Sequence, residues 1–575
     1  MRFYRNWKIL LSVGVVLFGF ILFIGVTTPF LKEKIPYDSK IFDIGRRVAY
    51  KIRDVADLAY VLKMQGESQI PVYEITIKKE DLEKMNKGLS KVGNDRVFSD
   101  DMKYSVPANL EYEGKKHDIE IRYRGLQDIH WNADKKSYTV RFGKNDKLAG
   151  MKKISLILPL DRKYFVEDLN NYRAEKFGLM HVPGKFVNIK INGKLQGVYF
   201  SQEGWSDELL KHINKSEEGR FYKTRDIRSD FCKDRAEYYY CIRKYTALWK
   251  QAAGKENDRS YKDLKKLFTV CSIEGDDKFK EEFEKIAHVD KFLKWNVHYL
   301  MMQSYHQGIS NLRLYSNPET GKFEPVVWDV GMDMNHRHEG IVSDINQVDI
   351  KYNPFVDRIL QVPEYRHRRN EILWDYVSNG DNLQDELKYY DTQYEKAKLD
   401  FYKDRLKRKS NFSFDDDVQR YRNNLIKYSE NLRDLFLGSS YIYETDYLGD
   451  GLLSVDVVLE SFVSGELKEV KIDLNDSLGG NYSIYRDSNE NKVFDVGDEL
   501  VSSVNAKNNR IRFQMVNTYL YTRYFPEQEK LHLITPYKLF IVEQNNKESL
   551  ANISDIGVEI INPHTKQKSD KLLIK

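Results

Sequence analysis

Cysteine is scarce: three in 575 residues, Cys232, Cys241 and Cys271, in no arrangement that matches a metal-binding pattern. Cys232 and Cys241 are close enough in sequence to pair if the chain is exported, which would leave Cys271 unpaired. The chain also has no Walker A segment and no Gly-x-Gly-x-x-Gly loop, so a standard P-loop or Rossmann phosphate site is excluded. Any phosphate would be held by side chains and irregular backbone. Net charge is only +5, with no dense Lys/Arg stripe, and this argues against nucleic acid as a partner.

What is present describes a folded protein of two or three domains, with 41% hydrophobic and 31% charged residues. Aromatics reach 13%, including 39 Tyr. That content is compatible with carbohydrate or wall contacts and also with ordinary core and sheet packing. Ile9 to Thr28 is an uncharged run, preceded by Arg2, Arg5 and Lys8 and followed by Lys32, Glu33 and Lys34. About twenty mostly apolar residues span a bilayer, and no small-residue cleavage site follows. The expectation is a single-pass signal anchor in a bacterial cell membrane, with the bulk of the chain extracytoplasmic. From Ile41 to Met64, Phe42, Ile44, Val48, Ile52, Val55, Leu58, Val61 and Leu62 alternate with Arg46, Arg47, Lys51 and Arg53 as an amphipathic helix. It reads equally as a helix lying on anionic lipid or as a spacer packed on the next domain.

From Val72 the hydrophobic period becomes two. Strands are expected at 72–77, 108–112, 118–124, 137–142, 154–158 and 186–191, with turns at Glu113-Gly114 and Asn192-Gly193. One helix is expected near Lys163 to Phe177. Ser206 to Ser439 reads as mostly helical, and after Asp446 short strands and Gly/Asn turns suggest a β-sandwich. The organisation expected is an anchor (1–35), an amphipathic linker (36–70), a β-rich lobe (71–205), a helical lobe (206–440) and a β-sandwich-like domain (441–575). The last contains Asp487, Asn489, Asn491, Asp495 and Asp498 at positions one, three, five, nine and twelve of an EF-hand-like loop, with the Val493 carbonyl at seven. Lys492 replaces the usual Gly and Asp498 the usual Glu, so weak binding of extracellular calcium is expected, with a simple polar turn as the other reading.

The chemistry concentrates in Val289 to His336. An amphipathic helix from Val289 to Tyr305 leads into a loop, His306 to Asn311. A hairpin follows, Leu312 to Tyr315 and Lys322 to Asp329, ending in Trp328-Asp329. In a protein-kinase catalytic loop a base precedes a metal-binding Asn by five residues, and a metal-binding Asp follows a short hairpin. Here those positions are His306, Asn311 and Asp329. Hard oxygen ligands of this kind suit Mg²⁺ together with nucleotide phosphates. Asn in a turn and Asp after a strand are also ordinary loop residues. His336, His338 and Glu339 lie just beyond as a small metal-like or merely solvent-exposed group.

Five segments in this order resemble the spore-coat CotH kinase family over about half the chain, Val72 to Glu339. They are Tyr123-Arg124-Gly125, Lys135-Lys136-Ser137-Tyr138-Thr139, Ile191-Asn192-Gly193-Lys194-Leu195-Gln196-Gly197-Val198-Tyr199 followed by Glu203, Asn311-Leu312-Arg313-Leu314-Tyr315, and Trp328-Asp329. The resemblance implies an α+β, atypical kinase-like two-lobed core with ATP and Mg as cofactors. It implies Lys136 and Arg124 on phosphates, Glu203 orienting Lys136 or standing at the rim, and phosphotransfer to a protein hydroxyl. Members similar to the active enzymes carry Asp where His306 stands, and often a second Asp where this chain has Gly331; Asp333 lies two residues further on. The other reading is therefore a catalytically inactive scaffold for cell-surface or spore-coat assembly.

Overall fold

The computed structural model describes residues 50–93, 96–143, 145–224, 241–255, 260–304, 311–331, 353–475, 480–489, 491–506, 509–522, 534–544 and 549–572. His306, Asp333, His336, His338, Glu339, Cys232 and the apolar run Ile9 to Thr28 lie outside these residues. Among the described residues no helix is long and apolar enough to cross a membrane.

The first β-rich stretch closes on itself. Strands β1 (Val72–Thr76), β2 (Val106–Tyr112), β3 (Lys115–Tyr123), β4 (Tyr138–Phe142), β5 (Lys153–Ile157), β7 (Gly184–Ile191) and β8 (Lys194–Glu203) form a barrel in the order β1-β2-β3-β4-β5-β8-β7, closed by parallel pairing of β1 with β7. A closed sheet has no exposed edge to protect. Alternation along the strands sends Tyr73, Ile75, Leu110, Ile121, Val140, Ile154, Leu156, Val187, Ile189 and Tyr199 inward, all essentially inaccessible to solvent. The hairpins turn where Glu113-Gly114 and Asn192-Gly193 take positive φ at both positions, the geometry of two-residue turns whose twist matches the strands.

The region read as mostly helical also carries a sheet. Short β6 (Met180–His181), β9 (Arg220–Thr224), β10 (Trp249–Gly254), β11 (Arg313–Ser316) and β12 (Phe323–Val327) form a second sheet in the order β10-β9-β11-β12-β6. The expected hairpin is β11–β12; β9 and β10 were invisible because neither alternates cleanly. Around this sheet pack α1 (Val166–Lys176), α2 (Val289–Leu300), α3 (Pro363–Val377), α4 (Gly380–Lys403) and α5 (Asn411–Asp434). They share one large core that includes Phe165, Leu169, Trp249, Trp295, Tyr299 and Tyr390. Two fully buried ion pairs tie elements distant in sequence. Arg173 grips Glu386, with Nε–Oε1 at 2.6 Å, and Lys135 pairs with Asp404 at the end of α4.

The C-terminal region is a two-sheet sandwich, one sheet of six strands and one of three, over a shared core that includes Val455, Leu459, Val470, Ile472, Ile484, Phe513 and Ile541. The whole is a mixed α+β molecule.

Candidate active site

The site sits where β12 runs out. Trp328 and Asp329 follow the strand, and Asp329 takes a left-handed φ of +52°, a conformation that Asp tolerates better than most residues. Helices α1 and α2 hold this exit. Tyr299 Oη donates to the Trp328 carbonyl at 3.2 Å, and Ser304 Oγ donates to the Val330 carbonyl. Asn170 Nδ2 reaches the Gly331 carbonyl at 3.4 Å, while His298 Nε2 bonds the Asn170 carbonyl at 2.8 Å. Burial pushes His298 down to about 3, so it is a neutral donor at ordinary pH.

The structure brings Asn311 and Asp329 together. Asn311 Nδ2 lies 3.2 Å from Asp329 Oδ2 across a separation of eighteen residues. The other carboxylate oxygen is taken by Arg162 of the loop after β5, whose side chain is 3% exposed. Next to it lie Asp161, His130 and Arg124. Arg162 Nε is 3.6 Å from Asp161 Oδ2, and His130 Nε2 is 3.6 Å from Asp161 Oδ1. Burial, ahead of the nearby cations, pushes His130 down to about 4 and keeps its imidazole neutral. Arg124 is destabilised first by burial and then by Arg162. Gly125 must be glycine here: its φ is +95°, and a Cβ would come within 2.2 Å of the His130 ring.

Beyond Arg124 lie cations from both sheets. On the second sheet Lys223 is the direct cross-strand partner of both Lys250 and Arg313, and on the barrel Lys153 is opposite Arg141. Like charges placed directly opposite each other destabilise a sheet. Burial, then Arg313, Lys153 and Lys250, pushes Lys223 down to about 7. Burial, then Arg141, Arg122, Arg124 and Lys250, pushes Lys153 down to about 8. No carboxylate pairs with Lys153, Lys223 or Lys250 among the described residues; Asp100, already bonded to Lys103 at 3.0 Å, is the acid that partly offsets Lys223. Arg313 is 7% exposed and stands 5.8 Å from the ring centroids of both Trp205 and Trp328.

Lys136 and Glu203 are placed differently from the expectation. Lys136 Nζ donates to the Ala133 carbonyl at 2.8 Å and stands over the Tyr123 ring, while Glu203 is buried and accepts from His212 Nδ1 at 2.8 Å. Glu203 neither orients Lys136 nor sits at a rim. The neighbouring lysine, Lys135, turns inward to Asp404, and Gly197 leaves room for it: a Cβ there would meet the Asp404 carboxyl at 2.1 Å. The Lys-Lys and Gly-Val-Tyr segments thus serve the barrel. Arg162, Lys153 and Lys223 carried no signal of their own, because it is pairing between distant strands that collects them; Arg313 stood in a family segment but without a role.

No three His, Cys, Asp or Glu side chains converge on a metal-ready position among the described residues. Asp329 and Asn311 supply one carboxylate and one amide, a donor set that suits Mg²⁺ retaining waters and phosphate oxygens. Asn170 Oδ1, buried and without a hydrogen-bond partner, is a further oxygen beside the Gly331 segment. In the C-terminal domain, Asn489 and Asn491 Nδ2 lie 3.1 and 2.6 Å from Asp495 oxygens, and the Lys492 amide donates to Asp487 Oδ2 at 2.8 Å. Lys492 takes φ +65° where a glycine usually stands. Of the cysteines, Cys241 is disulfide-bonded and Cys271 is a buried free thiol.

Cations from the barrel and from the second sheet thus gather near an Asn–Asp pair at a strand exit. The profile of the family described as CotH kinase protein matches residues 121–435, and the chain belongs to that family. The match begins in β3 and runs to the end of α5, further toward the C-terminus than the sequence segments alone reached. Inner spore coat protein H of Bacillus subtilis (strain 168) is 26% identical over 314 residues, covering 54% of this chain and 82% of that protein.

Proposed function

We propose that this protein is a membrane-anchored, extracytoplasmic phosphotransferase that moves a phosphoryl group from Mg-ATP to a protein hydroxyl in an atypical kinase-like core. The observation that supports it best is the convergence of Asn311 and Asp329 to 3.2 Å near lysines that have no carboxylate partner among the described residues. A bound Mg²⁺ would neutralise charge on the phosphates and hold them in line. Asp329 and Asn311 would hold it. Arg162 holds the Asp329 carboxylate in place, and is positioned to move onto phosphate oxygens when a metal takes that carboxylate. Arg124, Arg313, Lys153 and Lys223 bind the phosphate chain, and an anion beside Lys223 draws its ammonium back to the charged form. His306, five residues before Asn311, is the proposed base: it takes the acceptor's proton as the acceptor oxygen bonds to phosphorus and the bond to the nucleotide diphosphate breaks.

Binding of Mg-ATP to the full chain in detergent tests this. Saturable binding that disappears in Asp329→Asn is expected; no binding at millimolar nucleotide overturns it. His306→Asp separates the alternatives further. A gain in transfer marks a site short only of its carboxylate, and a loss marks His306 as the working base. No change alongside absent binding marks a scaffold. The scaffold reading, for coat or cell-surface assembly as the relative's name suggests, is favoured by one observation: the Arg162 guanidinium already occupies Asp329.

The loop from Asp487 to Asp498 is proposed to take calcium. Asp487 Oδ1 and Asp498 Oδ1, at loop positions one and twelve, are solvent-inaccessible and have no hydrogen-bond partner. Uncompensated buried carboxylate oxygens are costly, and a cation between them removes that cost. Calcium at about ten times its dissociation constant should stabilise the domain by about 1.4 kcal/mol. A calorimetric melt unmoved by calcium, or moved equally in Asp487→Ala, removes the assignment.

A further inference from the structure

The helix that precedes the barrel is packed inside out. It runs as α-helix over residues 50–56 and tightens to 3₁₀ over Asp57–Met64. Its polar residues face the protein. Arg53 donates to the carbonyls of Lys407 at 2.5 Å and Arg405 at 2.8 Å, Asp57 accepts from the Asn411 amide at 2.6 Å, and Tyr60 Oη donates to Asp415 at 2.8 Å. Arg53, Asp57 and Tyr60 are 7%, 2% and 9% exposed. The apolar residues face out: Ile52, Val55, Leu58, Val61 and Leu62 are 43%, 67%, 63%, 49% and 80% exposed. The 3₁₀ winding sharpens the stripe, since side chains three apart eclipse in such a helix and Leu58 and Val61 stack along one line. Phe412, 71% exposed, follows the residue that donates to Asp57.

We propose that this face lies on an anionic phospholipid bilayer. Charge selects the occupant: Lys51 and Lys63 of the helix, and Arg405 and Arg408 of the loop on which Arg53 docks, are exposed, and no carboxylate pairs with any of them among the described residues. Apolar residues rimmed by cations are the signature of a helix seated at the headgroup boundary of acidic lipid. A second copy of the chain would bring like charges against like charges, which costs affinity. The chain leading into this helix contains the uncharged run Ile9 to Thr28. The inference rests on the reading that this run anchors the chain, and the anchor then holds the stripe within reach of the membrane surface.

The test uses the full chain in vesicles of phosphatidylcholine with and without phosphatidylglycerol, carrying a photoactivatable phospholipid, with labelled peptides mapped by mass spectrometry. Labelling of the 50–64 peptide is expected in the acidic vesicles. It should fall by about tenfold or more in the Leu58→Glu/Leu62→Glu variant, since each leucine withdrawn from lipid costs on the order of a tenfold in partitioning. Labelling of the 9–28 peptide stays the same. Both leucines are exposed, so the melting temperature should hold. Lys51→Glu/Arg405→Glu, which leaves the stripe intact, should lower the labelling in acidic vesicles only. Labelling confined to 9–28 overturns the docking face while leaving the anchor. Labelling of neither segment overturns both, and photo-crosslinks between stripes of two chains replace lipid with a second copy. Equal labelling of the stripe in neutral vesicles overturns the acidic-lipid assignment.

Discussion

The molecule places its charges in two opposite ways. In the helical core, Arg173 meets Glu386 and Lys135 meets Asp404, each with no exposed surface to speak of and each with a partner of opposite sign. On the second sheet, by contrast, Lys223 lies across from the exposed Lys250 and from Arg313, and on the barrel Lys153 lies across from the exposed Arg141. A paired buried charge holds distant elements in one arrangement, and removing one partner strands the other. A collection of like charges does the reverse: it works against the fold, and is relieved by loss of a proton or by a counter-charge.

Breaking a pair should have the largest effect. Glu386→Gln leaves Arg173 buried against a neutral amide and also loosens Tyr376, which donates to the same carboxylate. A loss of about 3–5 kcal/mol is expected, measured by urea unfolding of the full chain in detergent; a loss within experimental error would mean the pair contributes no more than an exposed one. The like-charged set should respond with the opposite sign. Lys223→Met removes a desolvated amine from among three cations, and a gain of about 1 kcal/mol is expected, accompanied by weaker Mg-ATP binding. Destabilisation with unchanged nucleotide affinity would make Lys223 a structural residue after all.

The smallest effect is in pH dependence. Lys223 is held near 7 in the folded protein, below its ordinary unfolded value. Between those two values the unfolded chain binds the extra proton, so stability rises with pH there; below the folded value both states are protonated and the slope vanishes. Thermal melts should therefore show a rise from about pH 7 upward, shallower in Lys223→Met and flattened by a saturating anion. A flat wild-type profile would contradict the burial of that amine.

Much of this was legible in the sequence for local reasons. The period-two strands of the barrel, the two hairpin turns, the central helix and the Asn311–Asp329 spacing are all short-range patterns. What was not legible depends on partners that only the fold brings together. Nothing local distinguishes Lys135 from Lys136; the choice is made by Asp404, which sits where Gly197 leaves space for it. Glu203 is claimed by His212, nine residues on. Arg162 lies in an unremarkable turn, and only the return of β12 sets Asp329 against it. The amphipathic helix could be read as lipid-facing or protein-packed, and the structure shows why both readings had force: its polar side docks, and its apolar side is left outside.

The loop between α4 and α5 has one more consequence. Its Asp404 accepts from Lys135 and from the Val198 amide of the barrel, and also from the amides of Leu406 and Lys407 at 3.0 Å. The carbonyls of Arg405 and Lys407 take Arg53. One short stretch thus couples the first helix to the barrel wall, and it does so by several bonds lying side by side along that helix. A pull on the chain before residue 50 would therefore meet the Arg53–Asp57–Tyr60 row before it reached the barrel.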